Sequence, residues 1–415
     1  MAESRSRRLI VATGNENVCK TCGKTGAAPY DELRTALGEA TARSPDAGTD
    51  AGKRNRGRDA EFARCRTESW RRAIVRLAQE SGASRSAQSR RCGNLAFSEE
   101  VAPEKAACPL LVITGPTATG KTAVGIEVAR RVDGEIISAD SMMVYRGMDI
   151  GTAKPTLAER KGVPHHLIDV VDPGEDFSVA AFQVLAEALI REISGRGRLP
   201  ILVGGTGLYI RAVLEGYRFT GSVDRELRRQ LAAEARRFGP AYLHERLRGV
   251  DPETAARLHP NDLKRIIRAL EVFYGTGTPI SRGASAGAGP GYDALIFGLF
   301  LERRELYRRI EERVDAMLAA GLVEEVRRLL EGGLRRDTTA MQALGYKELA
   351  AYLAGEVSLE EAVYLLKRNT RRFAKRQLTW FRREDRIRWL DVAKYPSPEA
   401  VAEEIAGYVQ DYFRR

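Results

Sequence analysis

Short apolar runs alternate with longer amphipathic stretches from residue 109 onward. Short, mostly apolar runs are typical of strands that are buried on both faces, and apolar residues spaced three and four apart indicate helices. The alternation therefore predicts an α/β fold in which a parallel sheet is flanked by helices. The strand candidates are Leu110–Ile113, Glu135–Ala139, Pro200–Val203 and Leu295–Leu301, and the helices between them include Thr122–Arg131 and Phe177–Ile193.

The pattern is helical without a strand candidate between Asp224 and Tyr274, and it is helical and strongly basic from Arg303 to about Arg388. We interpret these parts as a helical insertion domain and a basic helical C-terminal region. The insertion helices are expected at Arg225–Arg237, Ala241–Leu247, Pro252–Leu258 and Asp262–Phe273, and a Gly/Ala/Ser-rich loop at 282–291. The expected organisation is core 108–223, insertion 224–277, core completion with basic helices 278–390 and a C-terminal helix 391–415.

Residues 1–107 differ from the rest because they are rich in Ser, Ala, Gly and Arg and poor in large apolar groups. Such a composition buries too little surface to offset ordering entropy, so we expect a disordered or non-native extension. Arg64–Gln79 is its one helix candidate. Cys19 and Cys22 have the spacing of zinc ligands, but no second pair follows and the first histidine is His165, which disfavours a zinc site.

Charge and cysteine placement narrow the class of protein. The chain has 415 residues, 67 Lys and Arg against 56 Asp and Glu, and a net charge of +11, which favours a polyanionic partner. No run approaches the ~18 apolar residues of a membrane span, and Met1–Arg8 lacks the apolar core of a signal peptide. All five cysteines lie within the first 108 residues. We therefore expect a cytoplasmic monomer with no membrane partner.

A glycine-rich segment follows the first strand candidate and opens a helix candidate. Its pattern, Gly-x-x-x-x-Gly-Lys-Thr, is typical of a phosphate-binding loop (P-loop) in this strand-to-helix context. Backbone N–H groups at the helix N-terminus surround the anion, Lys121 adds a positive charge, and the Thr122 hydroxyl is suited to Mg²⁺. The expected phosphate-binding residues are Gly115, Pro116, Thr117, Ala118, Thr119, Gly120, Lys121 and Thr122, and the expected cofactor is Mg²⁺.

Two further strand candidates end in residues that carry chemistry. Asp140 and Ser141 follow one strand, and Thr206 follows another. Ligands of open parallel sheets bind beyond the carboxyl ends of the strands, so these side chains and the P-loop are expected at one edge. A turn or helix-cap role for Asp140 remains the alternative. Neighbouring residues of a strand point to opposite faces, so His165 and His166 are interpreted as structural rather than as a metal pair.

Seven segments of the chain carry recognisable motifs: 115–122, 137–155, 163–169, 204–209, 261–272, 343–348 and 374–382. Taken in order, these segments resemble the tRNA dimethylallyltransferases (tRNA isopentenyltransferases), and the resemblance runs from about Leu110 to Arg388. Two departures are Met143, where many members have Gln, and the first 107 residues, which have no counterpart.

The resemblance implies transfer of a dimethylallyl group from its diphosphate to the exocyclic amine of the adenosine that is 3′-adjacent to the tRNA anticodon. It places the diphosphate or nucleotide on the P-loop. An adenine amine is a poor nucleophile, so a carboxylate must take its proton, and Asp140 is expected in that role, with Thr206 as the second catalytic residue. The tRNA contacts that the resemblance implies are Asp140, Ser141, Met142, Met143, Thr206, Arg228, Lys264, Arg265, Ile266, Ile267 and Arg268.

A basic stripe with helical spacing supports RNA as the partner. Lys367, Arg371 and Lys375 recur every four residues, and Trp380 and Phe381 follow. Basic groups suit phosphates and aromatic rings suit unstacked bases, so the three cations are expected to contact the tRNA anticodon stem-loop. The alternative is a solvated helix face with two core aromatic residues.

Two other functions share part of this pattern. An adenylate isopentenyltransferase would use the same P-loop and carboxylate on a free nucleotide, but it has less need of the insertion and the basic stripe. An RNA-associated P-loop NTPase would want a carboxylate at the end of a neighbouring strand, whereas Pro200–Val203 is followed by Gly204, Gly205 and Thr206. The sequence therefore favours transfer to tRNA over both alternatives.

Overall fold

Six parallel strands form one sheet, in the order β3-β2-β4-β1-β5-β6. The structure, a computed structural model, describes residues 108–217, 219, 225–283 and 291–413. The extension before residue 108, with its Arg64–Gln79 helix candidate and its Cys19–Cys22 pair, lies outside these ranges, as do residues 284–290 of the expected loop. The strands are β1 (Cys108–Thr114), β2 (Gly134–Ser138), β3 (His165–His166), β4 (Leu199–Val203), β5 (Tyr292–Phe300) and β6 (Ile387–Asp391).

Helices connect the strands and make up most of the rest of the described chain. None of the described helices is long and apolar enough to cross a membrane. The helices are α1 (Lys121–Arg131), α2 (Val179–Gly195), α3 (Gly207–Glu215), α4 (Arg225–Phe238), α5 (Pro240–Val250), α6 (Pro252–Arg257), α7 (Leu263–Thr276), α8 (Ile280–Gly283), α9 (Arg303–Ala319), α10 (Leu322–Glu331), α11 (Tyr346–Leu353), α12 (Leu359–Phe381) and α13 (Pro398–Phe413), with 3-10 turns at Ala340–Gln342 and Val392–Lys394.

Strand β1 lies in the interior of the sheet and is buried on both faces, as its apolar run predicted. Leu111 and Ile113 pack into one apolar cluster with residues of α1 and α13. Leu110 and Val112, which alternate with them, are also fully buried, and α2 packs against β1, β2 and β4. The predicted fold class, a parallel sheet flanked by helices, is confirmed.

One predicted helical stretch is partly wrong. The helical and basic pattern was expected to continue to about Arg388, but α12 ends at Phe381 and Ile387–Asp391 forms the edge strand β6, which pairs with β5. The reason is local: Ile387 and Leu390 are buried against the sheet while Arg388 is exposed, so a short strand is hidden within a basic run. Five residues at a sheet edge carry too little periodicity to be separated from the helix before them.

The helical insertion has an apolar core of its own. Leu231 of α4, Leu243 and Leu247 of α5, and Ile266 and Leu270 of α7 form a cluster separate from that of the sheet. The four predicted helices are present with ends that differ by a few residues. The exact domain boundaries at 223/224 and 277/278 stay predictions.

A buried ionic cluster fastens α1 to the loop before β3. The Glu127 carboxylate is nearly fully buried and accepts hydrogen bonds from Lys161 Nζ at 2.7 Å and from Arg131 Nη1 at 2.9 Å, and it also pairs with Arg130. The hydrogen bond from Lys161, with help from the two arginines and against the effect of burial, lowers the pKa of Glu127 to about 2. A buried carboxylate with this many donors stabilises the fold only while it is ionised.

We expect Glu127→Gln to lower the free energy of unfolding at pH 7 by about 2 kcal/mol, because charge-assisted hydrogen bonds are removed. The folded pKa lies below the ordinary value of 4.5, so this stabilisation is complete above pH 4.5 and is lost as the pH falls toward 2. Urea unfolding at pH 7 and at pH 3.5 measures both effects. The wild type should lose more stability in acid than the variant, and the exposed-pair control Glu356→Gln should change little. Equal acid sensitivity of wild type and Glu127→Gln would contradict the prediction.

Candidate active site

The P-loop joins the end of β1 to the start of α1, which is the context that the motif predicted. Gly115 has φ +137°, and a Cβ there would lie 2.2 Å from the carbonyl oxygen of Leu299, so only glycine fits beside β5. The Thr119 hydroxyl donates to the carbonyl of Pro116 at 2.9 Å. The loop is therefore shaped by its own hydrogen bond and by its contact with the neighbouring strand.

Lys121 points back into this loop from the first turn of α1. Its Nζ donates to the carbonyl of Pro116 at 2.5 Å and lies in a cavity shared with Asp140 and Arg313. Burial, together with the charge of Arg313, lowers the pKa of Lys121 to about 7, although Asp140 opposes the shift. An anion bound in the loop would stabilise the charged form of the Lys121 ammonium group and so raise its pKa.

Asp140 and Thr206 follow strands that are neighbours in the sheet, β2 and β4, with β1 next in order. Asp140 Oδ1 accepts the N–H of Met142 at 2.8 Å and that of Met143 at 3.4 Å, so the turn role left open by the sequence is real. Within the described ranges, no donor is bonded to Oδ2. One carboxylate oxygen thus holds the turn, and Asp140 lines the same cavity as Lys121.

The Thr206 hydroxyl links the two strand ends. It accepts the backbone N–H of Ser141 at 3.1 Å, and the backbone N–H of Thr206 donates to the carbonyl of Ala139 at 3.1 Å. Its hydroxyl lies 3.4 Å from the hydroxyl of Ser141. The expected convergence of the P-loop, Asp140 and Thr206 at one edge of the sheet is therefore present.

One cavity of about 360 Å³ connects these groups. Its polar side is made by the P-loop residues Thr117, Lys121 and Thr122 and by Asp140 and Thr206. Helices from the C-terminal region contribute apolar side chains to the lining, which suits a hydrocarbon group. These apolar residues are Ile310, Val314, Met317, Leu322, Leu366 and Phe373.

Arg313 is a site residue that the sequence analysis missed. It belongs to α9 and lines the cavity beside Ile310 and Val314. Burial lowers the pKa of its guanidinium, and the negative charge of Asp140 opposes that shift. A signal for it exists in the sequence: a cation interrupts the apolar face formed by Leu306, Ile310 and Val314, where a charge is costly unless it has a function.

Glu325 is a second residue that sequence reasoning missed. Its buried carboxylate accepts the backbone N–H groups of Asp149, Ile150 and Gly151 at 2.8–3.1 Å and the hydroxyl of Tyr346 at 2.6 Å. Gly151 lines the cavity, so this carboxylate of α10 fixes one of its walls. The sequence offers no local signal for it, because the loop that it binds lies more than 170 residues away.

Met142 and Met143, two of the expected tRNA contacts, line the cavity with Ser141. Met143 is only 9% exposed, and its sulfur accepts the hydroxyl of Ser138 at 3.7 Å. The position that departs from the family pattern therefore lies in the wall of the cavity next to Asp140.

The residues expected to contact tRNA from the insertion lie outside the cavity lining. Arg228 and Arg268 both donate to the carboxylate of Glu271, at 2.7 and 2.9 Å, and Lys264 and Arg265 are exposed on α7. Ile266 and Ile267 are different: their side chains pack in the core of the insertion. These two residues therefore present almost no side-chain surface to RNA, because amphipathic spacing directs them inward.

The basic residues of α12 are of two kinds, cations paired with carboxylates of α9 and exposed cations. Lys367 pairs with Asp315 at 2.6 Å and Arg371 with Glu311 at 2.6 Å, so both point toward α9. Lys375 is exposed, as are its neighbours Arg372 and Arg376, which form no ion pair within the described chain. The two aromatic residues that follow also differ, since Trp380 is 36% exposed and Phe381 is buried.

The paired histidines form hydrogen bonds with neighbouring groups, His165 also lines the cavity, and their structural role stays a prediction. His166 Nε2 lies 2.7 Å from Glu135 Oε2, and His165 Nδ1 lies 2.8 Å from the carbonyl of Val163. Among the described residues, no group of three or more His, Cys, Asp or Glu side chains is arranged to hold a metal ion.

A family model described as IPP transferase matches residues 143–384. This chain belongs to the IPP transferase family. The tRNA dimethylallyltransferase of Desulforudis audaxviator is 62% identical over 303 residues, which cover 73% of this chain and 98% of that protein. The tRNA dimethylallyltransferase of Pelotomaculum thermopropionicum is 57% identical over 300 residues, which cover 72% of this chain and 95% of that protein. The family resemblance predicted from the sequence is confirmed.

Two solved structures of the family share this fold. The tRNA isopentenylpyrophosphate transferase of Bacillus halodurans aligns with a TM-score of 0.56 and 47% identity, and the match covers 74% of this chain and 97% of that one. A eukaryotic dimethylallyltransferase acting on tRNA aligns with a TM-score of 0.64 and 30% identity, and the match covers 74% of this chain and 80% of that one. The predicted enzyme class, that of tRNA dimethylallyltransferases, is confirmed with the fold.

The position of Lys121 in this IPP transferase predicts that binding of an anion takes up a proton. With a pKa of about 7 in the free protein, much of Lys121 is neutral at pH 8 and most is charged at pH 6. A bound diphosphate favours the charged form, so its affinity should fall as the pH rises above 7. Calorimetric titration with inorganic diphosphate in buffers of different ionisation enthalpy measures the protons taken up. We expect uptake at pH 8, little at pH 6, and a smaller pH dependence for Lys121→Met; equal uptake at both pH values would contradict this.

Proposed function

We propose that this chain transfers a dimethylallyl group from dimethylallyl diphosphate to the exocyclic amine of the adenosine 3′-adjacent to the tRNA anticodon. The observation that carries the proposal is the single cavity that joins the P-loop to Asp140 in a chain of this family. Its relatives are tRNA dimethylallyltransferases, and one related structure is of an enzyme acting on tRNA. Two electrostatic requirements of the reaction, a cradle for the leaving group and a base for the amine, are both supplied in this cavity.

The donor would bind with its diphosphate in the P-loop and its hydrocarbon chain against the apolar lining. Loop N–H groups, Lys121 and Arg313 would then surround the oxygens that gain charge as the allylic C–O bond breaks. The Thr122 hydroxyl, in the same cavity as the Asp140 carboxylate, is a hard oxygen donor that fits Mg²⁺, which usually binds through few protein oxygens and substrate phosphates. When bound, Mg²⁺ would supply further positive charge to the leaving diphosphate.

The acceptor amine would attack the allylic carbon while Asp140 takes its proton. The new bond forms between the amine nitrogen and the first carbon of the chain, the C–O bond breaks, and diphosphate leaves with the electron pair. Oδ2 of Asp140 is suited to the proton because Oδ1 is engaged by the turn. Thr206, tied to Ser141, would orient the groups at the point of transfer.

The target base must leave its stack to reach this cavity, which requires the rest of the tRNA to be held outside. Exposed cations on α12 and on the insertion supply that surface, and charge of this kind suits phosphates. The proposed tRNA contacts are Asp140, Ser141, Met142, Met143, Thr206, Arg228, Lys264, Arg265, Arg268 and the α12 stripe residues Lys367, Arg371 and Lys375. The monomeric state and the cytoplasmic location stay predictions.

Purified protein, dimethylallyl diphosphate and Mg²⁺ combined with tRNA, AMP or ATP test the proposal. Prenyl incorporation into tRNA alone is the expected result. Incorporation into AMP or ATP would favour the adenylate enzyme. Hydrolysis of ATP without prenyl transfer would favour the NTPase, which the absence of a carboxylate in the sequence directly after β4 disfavours.

We expect Asp140→Asn to reduce the transfer rate by ~10²–10⁴-fold, because the amide keeps the turn but accepts no proton. The dissociation constant for tRNA, measured by filter binding, should stay within about threefold of the wild-type value. Asp337→Asn, at an exposed site where the carboxylate pairs with the nearby Arg335, is the matched control and should keep full activity. Near wild-type turnover in Asp140→Asn would place the base elsewhere.

The exposed and the paired cations of α12 predict different effects on tRNA binding. Replacing the exposed pair Arg372 and Lys375 by Gln should lower the slope of log affinity against log salt by roughly 0.7–0.9 for each phosphate that is no longer neutralised. Replacing Lys367 and Arg371 by Gln should lower it less, because their charges are balanced by Asp315 and Glu311. Affinity for tRNA at four salt concentrations measures both slopes. A larger change in the second variant would contradict this distinction between exposed and paired cations.

A further inference from the structure

Gln377 forms an amide bridge between the two loops of the candidate active site. It lies on α12 and is only 7% exposed. Its Oε1 accepts the backbone N–H of Thr117 in the P-loop at 2.9 Å, and its Nε2 donates to the carbonyl of Gly205 at 2.8 Å. These partners are 260 and 172 residues away in sequence, so the side chain joins three distant parts of the chain.

The backbone at Gly205 is shaped to admit this amide. A Cβ built at Gly205 would lie 2.3 Å from Nε2 of Gln377, well inside van der Waals contact, and 3.4 Å from the carbonyl oxygen of Gly115. Any side chain at this position would push the amide away from one or both partners. Gly205 is therefore matched to Gln377, and the effect of changing one should depend on the other.

The bridge continues the alignment of the two loops beyond the sheet. At the strand ends themselves, the Thr114 hydroxyl and the backbone N–H of Gly204 connect β1 and β4, at 3.0 and 3.1 Å. Past that point the P-loop turns toward α1 and the chain after Gly205 turns toward α3. Beyond the last of these hydrogen bonds, Gln377 joins the two loops at Thr117 and at Gly205, the residue directly before Thr206.

We propose that Gln377 is a positioning residue that holds the P-loop at a set distance from Thr206, and so sets the separation between the leaving diphosphate and the attacking amine. The inference rests on the proposed function, because the two groups it aligns are those of the transfer step. A primary amide fits this role since it offers one acceptor and one donor without charge. A carboxylate has no proton for Gly205, and an alkyl side chain serves neither partner.

The first test replaces the amide while keeping its size. We expect Gln377→Leu and Gln377→Glu to lower kcat by about 10- to 100-fold, since small misplacements of reacting groups cost rate. The KM values for tRNA and for dimethylallyl diphosphate should stay within about threefold, because the groups that bind each substrate are kept. Gln183→Leu is the matched control: it also removes a buried amide, on α2, whose Nε2 donates to Glu187. Its kcat should equal that of the wild type.

A double-mutant cycle separates positioning from a general loss of structure. Gly205→Ala alone should lower kcat by driving a methyl group into the amide. In a Gln377→Ala background the space is vacated, so adding Gly205→Ala should change kcat by less than twofold. Gly205→Ala changes no residue of α12 and carries the test if the Gln377 variants fold poorly, as judged by thermal unfolding.

The outcomes are distinct from those of the proposed function. If the wild type transfers no prenyl group to tRNA, the proposed function itself fails. If the wild type is active and kcat falls less than fivefold in folded Gln377→Leu and in Gly205→Ala, the positioning role is overturned. Additive losses in the double-mutant cycle, or KM increases that account for the whole loss, would overturn it as well.

Discussion

The parallel pairing of β2, β4 and β1 is the constraint on which the site depends. Parallel strands share one direction, and neighbouring strands lie about 4.8 Å apart, so their carboxyl ends stand side by side. The chain uses all three ends: the P-loop leaves β1, Asp140 follows β2 and Thr206 follows β4. Hydrogen bonds between Thr206 and the residues after β2 then hold these ends in a fixed relation.

The second physical theme is charge held in a partly apolar cavity. The cations Lys121 and Arg313 share a space with the carboxylate of Asp140, and its lining also includes Lys347, Arg376 and several aliphatic and aromatic side chains. Burial works against the charged forms of both cations, and Asp140 opposes this for each of them. The negative charge of a bound diphosphate would balance the charge of the two cations. The low polarity around it would strengthen each electrostatic interaction with the leaving group.

The parts of the site that lie next to a strand could be predicted from the sequence. Lys121, Asp140 and Thr206 each follow a recognisable apolar run, and the topology rule for parallel sheets then brings them together. Gln377, Arg313 and Glu325 could not be found in this way, because the site residues with which they interact are separated from them by more than 170 residues. Their positions follow from tertiary contacts, because Gln377 and Glu325 bond to loops distant in sequence and Arg313 lines the same cavity.

The same limit applies to the α12 stripe and to β6. Spacing of four places Lys367, Arg371 and Lys375 on one helical face, but the carboxylates of α9 that pair with the first two are set by tertiary packing. The strand β6 was hidden because five residues with one exposed arginine match the end of a basic helix as well as an edge strand. Local pattern thus identifies elements, and their partners are decided by contacts distant in sequence.

The strand order has a consequence for how the chain reaches its native state during synthesis. Strand β1 is made early, but one of its two neighbours, β5, begins at Tyr292, and the edge strand β6 ends only at Asp391. The insertion, by contrast, consists of helices that are close in sequence and pack on one another. Local helical contacts form fast and distant strand pairings form slowly. The insertion can therefore fold before the last strands of the sheet are synthesised. Until β5 and β6 are made, β1 must be kept from aggregating.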